Sequence, residues 1–248
     1  MPVTKIGSRW RWGFQEYYDT ATGRVVDVKA PVHIFDDFNG LEVDTVNDWN
    51  ESIVNLSTTT ADAGWMTLTT GAADDDDHDV ASELIFNGTN ICVMEARLRN
   101  DDVAKSCVCI GFTDAISEAA DTLAVTFDGD ALVTTASDAA VFFHDSDTTG
   151  DTWRAVCVDT DTEGTPIDTT ITPVNAQIQN IRIAIDASGY AYFWFSTGTA
   201  ALEYLGADKT VGVTPGTSLC AYVGYITREG FVNTCDVDYI RAWGGKID

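Results

Sequence analysis

Apolar and polar residues alternate along most of this chain with a period of two. In ICVMEARLR, Cys92, Met94, Ala96 and Leu98 fall on one side, and Glu95, Arg97 and Arg99 on the other. That is the pattern of a strand with one face buried. NIRIAIDASGYAYFWFSTG repeats it around a turn: Ile181, Ile183 and Ile185 line one face, Ala187-Ser188-Gly189 reverses the chain, and Tyr190, Tyr192 and Trp194 return. This is a β-hairpin signature. SCVCIGFTD, LAVTFDGDALVTT, AAVFFHD, TWRAVCVD, LCAYVGYIT and CDVDYIRAW add further strands, separated by turns rich in Gly, Asp, Asn and Thr. No segment keeps a helical period for more than two turns, and no internal repeat is visible. About a dozen strands at intervals of roughly 8–15 residues predict an all-β domain, a two-sheet sandwich or jelly roll.

Composition narrows the partners. A chain of 248 residues buries roughly three quarters of its unfolded surface and needs no disulfide scaffold. Its six cysteines, at 92, 107, 109, 157, 220 and 235, include no CxxC pair and sit among apolar neighbours. They read as buried free thiols, although spacing leaves a Cys220–Cys235 disulfide open. The net charge of −25 and pI near 4.1 argue against nucleic acid and anionic membrane surfaces as partners, since both repel such a protein. No apolar run reaches the ~18 residues of a membrane span, and the polar, basic start predicts no secretion signal.

Charge is not spread evenly. Residues 1–30 hold five basic side chains (Lys5, Arg9, Arg11, Arg24, Lys29) against Glu16, Asp19 and Asp27, a net +2 that leaves −27 for the rest. The same segment carries Trp10, Trp12, Phe14, Tyr17 and Tyr18. Its YYDTATGRVV stretch reads as a small hairpin, and the β body runs from 31 to 248. Exposed aromatic patches mark interfaces, and Trp, Tyr and Arg dominate binding hot spots. The expectation is therefore a basic anchoring arm that grips an acidic partner surface through Lys5, Arg9, Trp10, Arg11, Trp12, Tyr17 and Tyr18. The other reading folds it back on its own sandwich, with arginine–carboxylate pairing.

Candidate chemistry is sparse. ADDDDHDVASELIF offers Asp74–Asp77 and Asp79 as oxygen ligands, but a contiguous run diverges in direction and lacks the spaced plan of a calcium loop. It reads as a solvated loop, and HDSDTTGD and DTDTEG as turns. His33, His78 and His144 lack metal-ligand spacing, so no metal and no cofactor are expected. There is no G-x-S-x-G, phosphate loop or dinucleotide fingerprint. Tyr190, Tyr192 and Trp194 form the one candidate glycan platform; the competing reading is core packing. Trp49, Trp65, Trp153 and Trp243 read as core.

Two resemblances bear on function. FDDFNG (Phe35–Gly40) followed by Trp49, VMEARLR, and DVDYIRAW (Asp236–Trp243) resemble strands of concanavalin A-like jelly rolls, the group of legume lectins, laminarin-degrading hydrolases and laminin G-like domains. The resemblance implies a lectin or glucanase-type sandwich. The Glu-x-Asp-x-Glu motif of the hydrolases is missing, so no catalytic residue carries over and no enzyme is expected. The leader TKIGSRWRWGFQEYYDTATG is similar to the start of small virion proteins of tailed bacteriophages, through Gly7, Arg9, Trp10, Gly13, Tyr18, Asp19 and Gly23 in order. That similarity implies a non-enzymatic capsid decoration subunit on the virion exterior, assembled in the host cytoplasm. Its implied partners are the major capsid protein and neighbouring decoration subunits, and its implied assembly is a homotrimer. A carbohydrate-binding module is the alternative.

Overall fold

A computed structural model describes residues 6–11, 14–20, 22, 24–30, 32–39, 49–53, 58–62, 64–115 and 122–245. Among the described residues, two eight-stranded antiparallel sheets face each other. In the front sheet the strands run Thr162–Glu163, Arg154–Asp159, Asp138–Asp145, Ser106–Thr113, Cys220–Thr227, Asp77–Ala81 and Asn50–Ile53, with Ile167–Asp168 also paired to Arg154–Asp159. The back sheet runs Glu203–Asp208, Ala191–Thr197, Gln179–Ile185, Cys92–Asn100, Thr234–Gly244, Trp65–Thr69 and Thr58–Asp62, with Val32–Asp36 also on Thr234–Gly244. The two-sheet jelly-roll sandwich expected from the alternation is what forms.

The period of two sets the core. Cys92, Met94, Ala96 and Leu98 point between the sheets with Ile181, Ile183, Ile185, Phe193 and Phe195, meeting Val108, Ile110, Phe112, Phe142 and Val223 from the front. Phe142 packs edge-on to Phe193 at 5.4 Å. The predicted 181–195 hairpin is present in register, Ile181 opposite Phe195 and Ile185 opposite Ala191. Its turn uses Gly189 at φ +81°, where a Cβ would lie 2.0 Å from the Val213 carbonyl oxygen. Only a glycine fits there.

Both outer faces are themselves covered, giving four layers. On the front sheet, LAVTFDGDALVTT forms a hairpin, Val125–Asp128 against Ala131–Thr134. It turns through Gly129 at φ +60°. Leu123, Val125 and Phe127 pack there on Cys109, Val141, Phe143, Val156 and Tyr222.

On the back sheet lies the leader. Three leader strands, β1 (Ile6–Arg11), β2 (Phe14–Asp19) and β3 (Val25–Lys29), form their own antiparallel sheet. The hairpin read from YYDTATGRVV is its β2–β3 pair. The projecting arm expected from the charge pattern is corrected here: Phe14 and Val25 join Val93, Ala184, Trp194 and Trp243 in a buried cluster. The leader folds back because that apolar strip and the charges beside it find partners on the sandwich itself.

A second correction concerns the aspartate run. Asp77–Asp79 are buried inside the strand Asp77–Ala81, between Asn50–Ile53 and Cys220–Thr227, and are not a solvated loop. The five-residue strand carries three ionisable side chains, so no hydrophobic alternation announces it.

Candidate functional site

The back sheet's outer face is polar where a sandwich's outer face usually meets water, yet it is buried. Glu95 and Arg182 stand opposite each other on adjacent strands, both essentially inaccessible. Arg182 donates from Nη1 to Glu95 Oε1 at 2.9 Å and from Nη2 to Glu16 of β2. Glu16 also accepts from Arg9 Nε at 2.8 Å across the β1–β2 pair. Glu95 Oε2 accepts the Val25 backbone N–H at 3.1 Å, and Arg241 Nη1 donates to the Val25 carbonyl at 2.9 Å. Arg24 donates to Asn180 of the back sheet. One guanidinium thus ties two buried carboxylates, one from each layer, which compensates charges that are costly to desolvate.

The leader motif follows from this geometry. Gly7 stands opposite Tyr18, and a Cβ at Gly7 would lie 2.8 Å from the Tyr18 ring. Arg9 stacks over that ring at 4.4 Å. On β1, alternation aims Arg9 and Arg11 at the sandwich. Arg11 lies over the Trp194 ring at 4.7 Å. Burial first, then the neighbouring charges of Arg182 and Arg9, pull the Arg11 pKa down to about 10. Burial likewise pushes the Glu95 carboxyl up, opposed by Arg182 and reinforced by Glu16.

Of the predicted contact residues, Arg9, Arg11, Tyr17 and Tyr18 are therefore placed within the subunit's own leader layer, with Tyr17 half-buried. Trp10 pairs through its backbone with Gln15. Lys5 and Trp12 lie outside the described residues.

Beyond the leader's edge the same face becomes aromatic. Trp194, 7% exposed, packs against Tyr204 at 5.3 Å, and Tyr204 is 55% exposed on the edge strand Glu203–Asp208. Tyr192 is half-buried; its hydroxyl donates to Asp186 at 2.9 Å. Burial and Asp186 raise its pKa to about 12, with Tyr204 and Tyr190 as further electrostatic neighbours. Tyr190 is 38% exposed, and Lys209 Nζ lies 5.4 Å above the Tyr192 ring. The predicted platform is thus split: Tyr190 and Tyr192 reach the surface, whereas Trp194 is its floor. Tyr204 and Lys209 are members the sequence pattern did not assign, and Arg11 reaches the patch from the predicted arm. Trp49, Trp153 and Trp243 are buried, and Trp65 is half-buried under Arg99 at 4.4 Å.

Other candidates resolve into structure. Asp75, Asp145 and Asp147 converge on Arg228 at 2.6, 2.6 and 3.6 Å. Burial works against the charge of Arg228, but the Asp145 and Asp75 carboxylates hold its pKa above the usual range. A protein cation fills the centre of these carboxylates. Among the described residues no group of three His, Cys, Asp or Glu is arranged to hold a metal. All six cysteines are free and buried, and burial pushes the Cys92, Cys107, Cys157 and Cys235 thiols up. One edge cavity of about 310 Å³ has Glu163 and Asp208 in its lining. There Asp208 Oδ1 is already taken by the N–H groups of Thr210 and Val211 at 2.9 and 3.0 Å.

No family model matches the sequence, and no curated protein matches it significantly. Solved structures do match in shape. Peanut lectin aligns over 88% of this chain and 98% of its own, with TM-score 0.59 and 8% identity. The carbohydrate recognition domain of Emp47p aligns over 86% and 95%, with TM-score 0.58 and 11% identity. A pseudo β-1,3-glucanase and immunostimulatory antigen of Mycobacterium tuberculosis aligns over 86% and 98%, with TM-score 0.55 and 12% identity. The fold is concanavalin A-like. The identities are too low to carry more than the fold.

Proposed function

We propose that this chain is a non-enzymatic carbohydrate-binding module whose contact surface is the aromatic end of the back sheet. The observation that carries this reading is the trio of exposed Tyr190, half-buried Tyr192 and exposed Tyr204 around a Trp194 floor. Aromatic faces of this kind give a sugar ring an apolar surface, with hydroxyls and charges at the rim to orient it. The lectin-like fold of its structural neighbours supports the reading. The test is a glycan array with the full-length protein. Binding is expected, and it falls about tenfold in Tyr204→Ala, the loss of one aromatic contact. A flat array removes the proposal. Product release from β-glucans in a reducing-sugar assay would instead favour the hydrolase reading.

A second reading is favoured by the leader's resemblance to virion proteins: the module is carried on a phage particle. The side chains facing the sandwich are engaged there, so a capsid contact would fall to the leader's other side, where Ser8 is exposed and Gln15 and Tyr17 are half-buried. Finding the chain in mass spectra of purified particles supports this reading, and its absence from them removes it.

A further inference from the structure

The chain has 39 acidic side chains, and most described cations meet a carboxylate: Arg9, Arg97, Arg99, Lys105, Arg182 and Arg228 all do. Arg24 and Arg241 donate instead to Asn180 and the Val25 carbonyl, and Arg154 lies over Phe127 away from the aromatic patch. At the patch, Arg11 and Lys209 form no ion pair among the described residues. Each instead lies over an aromatic ring of the same patch, Arg11 over Trp194 at 4.7 Å and Lys209 over Tyr192 at 5.4 Å. Arg11 is half-buried and Lys209 exposed, so both cations border a surface open to a ligand.

The carboxylates around them are engaged or turned away. Asp186 accepts the Tyr192 hydroxyl and the N–H groups of Ser188 and Tyr190. Glu203 stands opposite Phe195, which points into the core, and so lies on the reverse side. Asp208 is held by Thr210 and Val211. Glu16 and Glu95 already share Arg182 and take Arg9 and the Val25 N–H as well. Beside the patch the seam between leader and back sheet is rich in arginine: Arg9, Arg11 and Arg24 of the leader and Arg182 and Arg241 of the back sheet gather around Glu16 and Glu95. Among the described residues the buried Arg182 Nε and Trp243 Nε1 meet no hydrogen-bond partner.

Resting on the glycan-binding reading above, we infer that the ligand is an anionic saccharide, a uronic-acid or sulfated chain. Its sugar ring sits on Tyr190, Tyr192 and Tyr204, and its anionic group lies between Arg11 and Lys209. A guanidinium presents a planar donor fork to carboxylate or sulfate, and a cation already stacked on an aromatic ring is preorganised to receive it. Burial first, and then the like charges of Arg182 and Arg9, depress the Arg11 pKa; such an anion relieves the crowding of charge. The leader then has a role in recognition: it delivers Arg11 to a face where the sandwich itself supplies the aromatics and Lys209.

The net charge of −25 makes the test clean, because the protein as a whole repels polyanions. Binding of the full-length protein to dextran, dextran sulfate and alginate is measured by affinity electrophoresis and by quenching of tryptophan fluorescence. The expected result is binding to dextran sulfate or alginate over dextran. Arg11→Gln and Lys209→Gln each weaken it about tenfold, the loss of one charge-assisted contact, and Arg11→Lys recovers part. Tyr204→Ala weakens binding to charged and uncharged chains alike. If dextran binds as well as its sulfate and Arg11→Gln changes nothing, the anionic specificity is wrong while the glycan site stands. If no chain binds, both fall.

Discussion

The two outer faces of this sandwich are both roofed, by opposite chemistry. The front sheet is covered by a hairpin that sets Leu123, Val125 and Phe127 on Cys109, Val141 and Phe143. The back sheet is covered by the leader, which adds a small apolar strip, Phe14 and Val25, to a lattice of Glu16, Arg182, Glu95, Arg9 and Arg241. An apolar roof is held by area removed from water and tolerates slippage. A charged roof has one register, because each carboxylate must meet its own guanidinium. It also leaves cations at its rim, and that is where the aromatic patch opens to solvent.

This contrast orders the expected effects. The largest is on the charged side: Arg182→Met takes the shared guanidinium from two buried carboxylates, leaving Glu16 to Arg9 and Glu95 to the Val25 N–H, and lowers unfolding free energy by about 3–5 kcal/mol, read by denaturant titration. Next, Phe127→Ala on the apolar side, where the ring lies 5.3 Å from Phe143, costs about 3 kcal/mol. Equal and small losses from both would erase the distinction between the faces.

A smaller effect is pH dependence. Burial raises the Glu95 carboxyl, so over a window beginning near the ordinary glutamate value of about 4.3 the folded protein holds a proton the unfolded chain has released. The stability this contributes is full below that window and is lost as pH rises through the folded value. Glu95→Gln should flatten that part of the profile, whereas Phe127→Ala should leave its shape alone. Smallest is the response of the thiols: all six cysteines are buried, so an aromatic disulfide reagent should label none until the chain is unfolded.

The sandwich was legible because strands buried on one face write their orientation into alternate residues, as in Cys92–Leu98 and Ile181–Ile185. The Tyr190–Tyr192–Trp194 alternation likewise located the aromatic face. The leader's destination was not legible. Glu95 and Arg182 look like ordinary solvent-facing positions, and nothing local says that Glu16, some eighty residues before Glu95, will cover them. Tyr204 was missed because ALEYLGADKT sits on a bulged edge strand, where the register shift hides the alternation. Asp77–Asp79 misled for the opposite reason, since charged residues in a buried strand imitate a loop. Long-range pairing of charges leaves no period in sequence.

The account depends on the leader docking on its own back sheet. The direct measurement is hydrogen exchange on the full-length protein, diluted until it is monomeric and without any partner. The account predicts that the amides of Phe14–Asp19 and Val25–Lys29 exchange slowly, with protection reaching toward that of Cys92–Asn100 beneath them. Exchange at the rate of a free peptide, slowing only when particles or a second copy are added, would contradict it.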